Sequence, residues 1–457
     1  MKGRSLAGLY RGVIVDVSPL RSSARFRWLF LGQLTTQVSR LTLVVAVPYE
    51  VYVLTDSIAM VGLIGLVQVV PLTVFSILGG TAADAFDRRR LLVVVQLLLA
   101  GTSGGFALNT LTGSRLWLIF VLVILNAGLA GFEAPARAAI ISRLVPIPQL
   151  ASAFALNQTL NQTARAAVPA IAGIVLASAG IGPAYWMSSA ACLLTLLALI
   201  PVGAQTPGGA SGRLTFAATL EGWRVLRSAP LLRWVLLIDL NAMVFGLPRA
   251  LFPAIGLDAL GGDASTVGLL HAAVGAGALV AALTTGWVPS VRRQGRIIIL
   301  AAVVWGSSIV GFGLTGELSV AIGFLAAAGA ADVISNVFRN AMLQAGVPDD
   351  FRGRVTAFKV ALSGGGPLLG DWESAQVASV TTPAVSVVSG GVASLVGTAV
   401  LGWHGRDLWT YVTPQQPEPD SCTGSLRPDG PTGPPTPHRP LHAMHHVQRV
   451  KPTDIEE

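Results

Sequence analysis

Several ionisable side chains stand inside apolar runs, where a mid-bilayer charge costs roughly 2.5–3.5 kcal/mol and therefore faces a cavity or a partner. Asp239 lies about eight residues into one such run and Asp371 well inside another. A low-dielectric site penalises the ionised form, so each is a candidate proton carrier. The competing reading is a buried pair, with Arg165 or Arg40 as counter-ion. Glu373 lies two residues from Asp371, roughly 200° around a helix; both cannot face one cavity, and Asp371 is preferred. Glu133 and Arg137 form an i, i+4 pair, while Asp332, Asn336 and Arg339, at i, i+4 and i+7, share one helix face. Both sets read as a salt-bridge and capping network of a gate. Gln158, Asn161, Gln162 and Arg165 make a polar stripe that either lines a cavity or bonds a neighbouring helix. Arg40 and Asn241 are further cavity candidates. Arg249 is another in-span charge; Glu50, near the end of its run, is not expected to be an essential proton site, and His271 reads as structural.

The elements that must hold these groups follow from composition. The 457 residues are 52% apolar and 12% charged, about half the charge of an ordinary soluble domain. Apolar runs near 28–54, 60–82, 91–112, 116–136, 152–179 and 183–203 are followed by runs near 232–257, 265–289, 296–315, 318–342, 355–381 and 384–403. Each is long enough to cross a hydrocarbon core as a helix. The expected class is an all-α membrane protein with twelve transmembrane helices. Cys192, in an apolar run, and Cys422, in a polar tail, do not make a disulfide framework.

Charge sets the orientation. Of 28 Arg and 3 Lys, 26 fall before the first run, after the even-numbered runs or beyond the last, and Arg115 sits in a loop on the other side. By the positive-inside rule both termini are cytoplasmic, which an even number of spans requires. Trp28, Trp117, Trp186, Trp234, Trp287 and Trp403 fall near run ends, as an interfacial belt would. The net charge of +8 is thereby a topology signal, and no nucleic-acid partner is expected; the lipid bilayer is.

Five segments result: a basic cytoplasmic N-terminus (1–27), a six-helix bundle (28–203), a cytoplasmic linker with an amphipathic helix near Leu214–Arg227 (204–231), a second bundle (232–403) and a disordered cytoplasmic tail (404–457). Arg137 is followed nine residues later by Pro146, and Arg339 nine later by Pro348. The basic cluster Arg88–Arg90 is echoed by Arg292, Arg293 and Arg296. Parallel repeats of six helices mark transporters, with the substrate site between the halves. The chain has no Gly-Lys-Ser/Thr phosphate loop and no spacing for a membrane enzyme, so it is expected to be no enzyme, to take no cofactor and to draw on an ion gradient. His438, His442, His445 and His446 are read as part of a flexible tail rather than as a metal site.

Gly80-Thr-Ala-Ala-Asp84-Ala-Phe-Asp87-Arg88-Arg89-Arg90 resembles the loop motif of the major facilitator superfamily. The resemblance makes Gly80, Asp84, Asp87, Arg88 and Arg89 a latch between the halves, with the Arg cluster in water; a topology anchor is the plainer alternative. Val47-Pro48-Tyr49-Glu50-Val51-Tyr52, Asp239-Leu-Asn241-Ala-Met-Val-Phe-Gly246-Leu-Pro248-Arg249, Pro348-Asp349-Asp350-Phe351-Arg352-Gly353-Arg354-Val355 and Gly364-Gly-Gly-Pro367-Leu-Leu-Gly370-Asp371 are similar to the enterobactin-exporter branch, which includes macrolide and multidrug efflux proteins. The likeness covers residues 25–405 and implies the major facilitator fold of two six-helix bundles, a central cavity, alternating access and proton-coupled export. Val168-Pro169-Ala-Ile-Ala-Gly173 keeps the proline and one glycine of the family's antiporter motif, where more glycines are expected. The expectation is a bacterial inner-membrane exporter, monomeric, of a siderophore-like or drug-like amphipathic molecule. An importer of the same fold and a membrane sensor using the tail are the rivals.

Overall fold

In lipid every backbone N–H and C=O must be satisfied within its own segment, so long apolar runs fold as helices. The computed structural model describes residues 16–204, 230–284, 291–346 and 349–411. In order these form α1 (Ala24–Thr55), α2 (Ile58–Ala85), α3 (Arg88–Leu111), α4 (Leu116–Leu144), α5 (Leu150–Ala179) and α6 (Ile181–Leu199). Then follow α7 (Pro230–Phe245), α8 (Ala264–Leu283), α9 (Gln294–Leu314), α10 (Leu318–Gly346), α11 (Asp349–Val380) and α12 (Pro383–His404). Eleven segments are long and apolar enough to cross a membrane, and α11, at 32 residues, completes twelve helices in two six-helix bundles. No strand occurs among the described residues. Large apolar side chains more than half exposed, among them Leu97, Ile174, Leu197, Val280, Leu300 and Val396, lie on the outward surfaces that lipid would cover.

The helix ends carry the caps that short polar residues provide. Ser23, Ser57, Asp87 and Thr382 accept backbone N–H groups at the starts of α1, α2, α3 and α12. Asp263 and Thr266 form a capping box at α8. The run expected at 232–257 is not one regular helix. After Phe245 the chain breaks at Gly246-Leu247-Pro248 and resumes as a 3-10 turn, Arg249–Leu251, and a π-helical turn, Ile255–Ala259. Pro248 has no N–H to continue the ladder, and a Cβ on Gly246 would meet the Trp305 indole nitrogen at 2.2 Å. The tail also departs from expectation at its start. Arg406–Thr410 is helical and packs on the beginning of α9, where Arg296 donates to the Trp409 carbonyl at 3.2 Å and Leu408 is fully buried.

With twelve helices in alternation, the first and last described residues, 16 and 411, fall on one side, called here the terminal face. Near it each bundle has its own apolar core: Phe26, Leu92, Ile140 and Leu199 in the first six helices, Val235, Ile298, Phe338 and Leu408 in the last six. Towards the other face a single core runs through both bundles, joining Val45, Val61, Phe106 and Tyr185 to Phe252, Leu270, Ile309 and Ala375. The second helix of each half packs on the fifth of the other, α2 on α11 and α8 on α5. Residues Met1–Thr413 form one unit by their internal contacts and Pro414–Glu457 a second. The tail beyond 411, its histidines, the linker segment 205–229 and residues 1–15 lie outside the described residues.

Candidate functional site

Each bundle holds one buried arginine network on the terminal-face side. In the first, the Arg137 guanidinium is salt-bridged to Glu133 and donates to the Thr36 hydroxyl of α1 at 3.0 Å. Gln96 of α3 donates to Glu133 at 2.8 Å. In the second, Arg339 reaches Asp239 of α7 at 2.9 Å and Asp332 of its own helix at 3.7 Å, and donates to Ser335 at 3.0 Å. Asp239 and Arg339 are 2% and 3% exposed. Asp239 thus pairs within its own half, not with Arg165 or Arg40, because α7 and α10 face each other inside one bundle. Asn336 accepts from Lys359 at 3.3 Å, tying α10 to α11.

Among the described residues, two cavities lie between the bundles. One, of about 260 Å³, is lined by Arg40, Gln68, Asn126, Arg249, His271 and Asp371 against an apolar wall that includes Leu43, Val47, Ile64, Phe106 and Val123. The other, of about 210 Å³, lies between Arg165 and the polar residues Asp239, Asp332, Asn336 and Arg339, and also touches Arg249. Asp371 accepts the backbone N–H of Ala250 at 3.2 Å and has no ion-pair partner within 4.0 Å among the described residues. The break in α7 makes this possible: the turn after Pro248 points a free N–H at the cavity and sets Arg249 beside both spaces. His271 is 9% exposed and its ring meets Phe252 edge-on at 4.7 Å.

The remaining candidates sort by helix face. Arg165 lines a cavity, whereas Asn161 accepts from Gln33 at 3.2 Å and Gln37 at 2.6 Å, joining α5 to α1. Gln162 is buried and Gln158 exposed. Asn241 lies two residues from Asp239, on the far side of α7, and donates to the Ser394 carbonyl of α12 at 2.8 Å. It belongs to helix packing rather than to either cavity. Glu50 is fully buried, accepting from Tyr185 and from Ser114, the latter at 3.0 Å.

In the loop between α2 and α3, Asp87 caps α3 through the Arg90 N–H at 2.9 Å. The Arg cluster does not stay wholly in water. Arg88 is 6% exposed and donates to the Ala83 carbonyl at 3.0 Å; Arg89 donates to the Leu199 and Ile200 carbonyls at 2.8 and 3.2 Å. Carbonyls at a helix C-terminus attract a cation in this way. These contacts remain within the first six helices. Gly80 is buried, and the Asp84 side chain lies outside the described residues.

Away from the terminal face the bundles meet closely. Tyr52 of α1 hydrogen-bonds Asp258, in the π-helical turn that follows α7. A Cβ on Gly62 would meet that of Ala375 at 2.2 Å, and one on Gly65 the Leu368 carbonyl at 2.7 Å. On the paired side, a Cβ on Gly268 would meet the Pro169 carbonyl at 2.4 Å, and one on Gly275 the Arg165 carbonyl at 2.3 Å. Helices approach this closely only where one surface is bare of side chains. The glycines missing from α5 are therefore supplied by α8, which a search of α5 alone does not detect. Tertiary structure likewise brings Tyr52 to Asp258 and Arg249 to the cavity that Asp371 lines. Their only sequence signal was an ionisable group within or beside a span.

Twelve helices in two bundles, with polar cavities at the bundle interface, define a secondary transporter of the major facilitator type rather than an enzyme. A family described as transmembrane secretion effector matches residues 14–406, and the chain belongs to it. It is 28% identical to the enterobactin exporter EntS of Shigella boydii serotype 18 over 388 residues, 84% of this chain and 92% of that one. The same identity and coverage hold for EntS of Escherichia coli O139:H28. Among solved structures, the nucleoside transporter NupG superposes with a TM-score of 0.68 at 10% identity, covering 84% of this chain and all of that one. A bacterial homologue of the human lysosomal transporter Spinster, in an inward-facing and unoccupied conformation, gives 0.66 at 16%, with 84% and 97% covered. At these identities the structures speak for the fold alone.

Proposed function

We propose that this protein exports a siderophore-like or drug-like amphipathic molecule across a bacterial plasma membrane by alternating access, with proton return as the driving reaction. The observation that carries the reading is the contrast between the two buried acids. Asp239 is ion-paired to Arg339, whereas Asp371 faces the inter-bundle cavity on backbone N–H groups of the turn after Pro248, within reach of the Arg249 charge but without an ion pair among the described residues. A carboxylate poised in that way can take up and release a proton without dismantling a bundle. The single apolar core at one face and the divided core at the other support a conformation closed away from the termini. The charge asymmetry of the loops supports cytoplasmic termini, and with them a cavity that faces inward in this state. The direction of transport is supported by the enterobactin exporters that the chain resembles.

The test is substrate-induced proton movement in proteoliposomes containing a pH dye, screened with catecholate siderophores and amphipathic drugs. The reading expects proton movement opposite to the substrate, lost in Asp371→Asn. Flux without proton movement, or proton and substrate moving in one direction, would overturn it.

A further inference from the structure

We infer that the cargo of this cavity is an amphipathic anion, bound by Arg40, Arg165 and Arg249; the inference rests on the reading of the inter-bundle space as the transport site. The three guanidinium groups come from α1, α5 and the turn after the break in α7. Arg40 and Arg249 line the first cavity, Arg165 and Arg249 the second; Arg165 senses the charge of Arg40 and of Arg249, and Arg40 that of Arg249. None has an ion pair or a side-chain hydrogen bond among the described residues. Other arginines of the helices and their ends are engaged: Arg88 and Arg89 by carbonyls, Arg137 by Glu133, Arg339 by Asp239.

A guanidinium does not lose its proton in a protein, so these three cannot neutralise themselves as a lysine or histidine would. The carboxylates within electrostatic reach do not balance them. Asp371 offsets one charge. Glu133, which Arg40 senses, is already bridged to Arg137; Asp332, which Arg165 senses, offsets a second charge, since Arg339 is paired with Asp239, and the third stays unbalanced. A positive excess is left in a space that pairs polar groups with one apolar wall. Planar forks of N–H donors match carboxylate, phosphate and sulfonate oxygens. Leu43, Val47, Ile64, Phe106 and Val123 give an apolar body somewhere to rest. A lipophilic cation would meet three like charges there. Exchange of an outgoing anion for an incoming proton would move two charges down an inside-negative potential, so such cargo suits the proposed direction.

The experiment compares two probes of one shape and opposite charge, 2-naphthoate and 2-naphthylmethylammonium, by calorimetry on the full chain in nanodiscs of zwitterionic lipid. We expect naphthoate to bind at least tenfold more tightly. Arg40→Gln, Arg165→Gln and Arg249→Gln should each weaken it fivefold or more at an unchanged melting temperature, with partial rescue by lysine at the same position. Equal affinities, a preference for the ammonium, no binding of naphthoate, or folded glutamine variants that keep wild-type affinity would each overturn the inference. Vesicle transport separates this from the export reading. An anion that binds through the arginines but is never carried contradicts export. Amphipathic cations carried undiminished by all three variants contradict the anion site and leave export intact.

Discussion

Arg137 in α4 and Arg339 in α10 occupy matching places in the two halves, each nine residues before a proline, yet their counter-charges come from different directions. Arg137 takes its carboxylate from Glu133, one turn earlier on its own helix, and only a hydroxyl from α1. Arg339 has Ser335 one turn earlier and takes its nearest carboxylate from Asp239, on the first helix of its bundle. The acid has moved from the fourth helix of the bundle to the first while the cation has stayed. A pair within one helix stiffens that helix; a pair between helices fixes how two of them sit together. The second half is therefore the one in which loss of a charge should loosen the bundle.

The largest effect is expected from Asp239→Ala. It leaves Arg339 buried with only Asp332, 3.7 Å away and half exposed, and breaking a buried pair costs about 3–5 kcal/mol. Thermal unfolding in detergent should show a large drop, and Asp239→Leu with Arg339→Met should recover most of it. If the double variant is no better than the single one, the pair is not what joins α7 to α10. Glu133→Ser should cost less, about 2 kcal/mol for the lost charged hydrogen bonds, because Thr36 still accepts from Arg137. Adding Thr36→Asp moves the carboxylate to α1, as in the second half, and should restore stability; failure to do so would show that the two networks are not interchangeable.

Tyr52→Phe removes the hydroxyl contact to Asp258. A net loss of about 1 kcal/mol should raise opening at that face roughly fivefold, read as faster thiol labelling of a cysteine at Thr112. The smallest effect concerns Asp263, the cap of α8. Hydrogen bonds from Ser265 first, and from the backbone at Thr266 and Ser265, hold its carboxyl below the ordinary range. A lowered folded value adds stability above the unfolded carboxylate range and forfeits it as pH falls through the folded value. Asp263→Ala should lose about 1 kcal/mol at neutral pH, and its gap from wild type should narrow in acid. A gap that widens in acid would show that the carboxylate is not the capping group.

The Glu133–Arg137 pair was legible in the sequence because its spacing is that of one helical turn. The same rule grouped Asp332, Asn336 and Arg339 but missed Asp239, a hundred residues away, since no local period records which helices face each other. Asp371 was legible as a charge where none is comfortable. Its freedom was not, because it depends on the break at Gly246–Pro248 that aims the Ala250 N–H at it. Asn241 shows the converse: this polar residue in a span serves α12, and only its half-turn offset from Asp239 tells the two faces apart. The twelve runs survived because length and apolarity decide a span, whereas the close approach of α5 to α8 rests on glycines in two distant segments.

Under alternating access the two faces open in turn, and inter-label distances report both openings at once. Spin labels at Arg90→Cys and Arg296→Cys on the terminal face, and at Thr112→Cys and Thr315→Cys on the other, would be placed in a Cys192→Ala, Cys422→Ala background. The pairs would be followed by double electron–electron resonance in nanodiscs as pH is lowered. One distance should shorten as the other lengthens, and Asp371→Asn should remove the pH response from both. Distances that change together, or that respond to pH undiminished in Asp371→Asn, would contradict it.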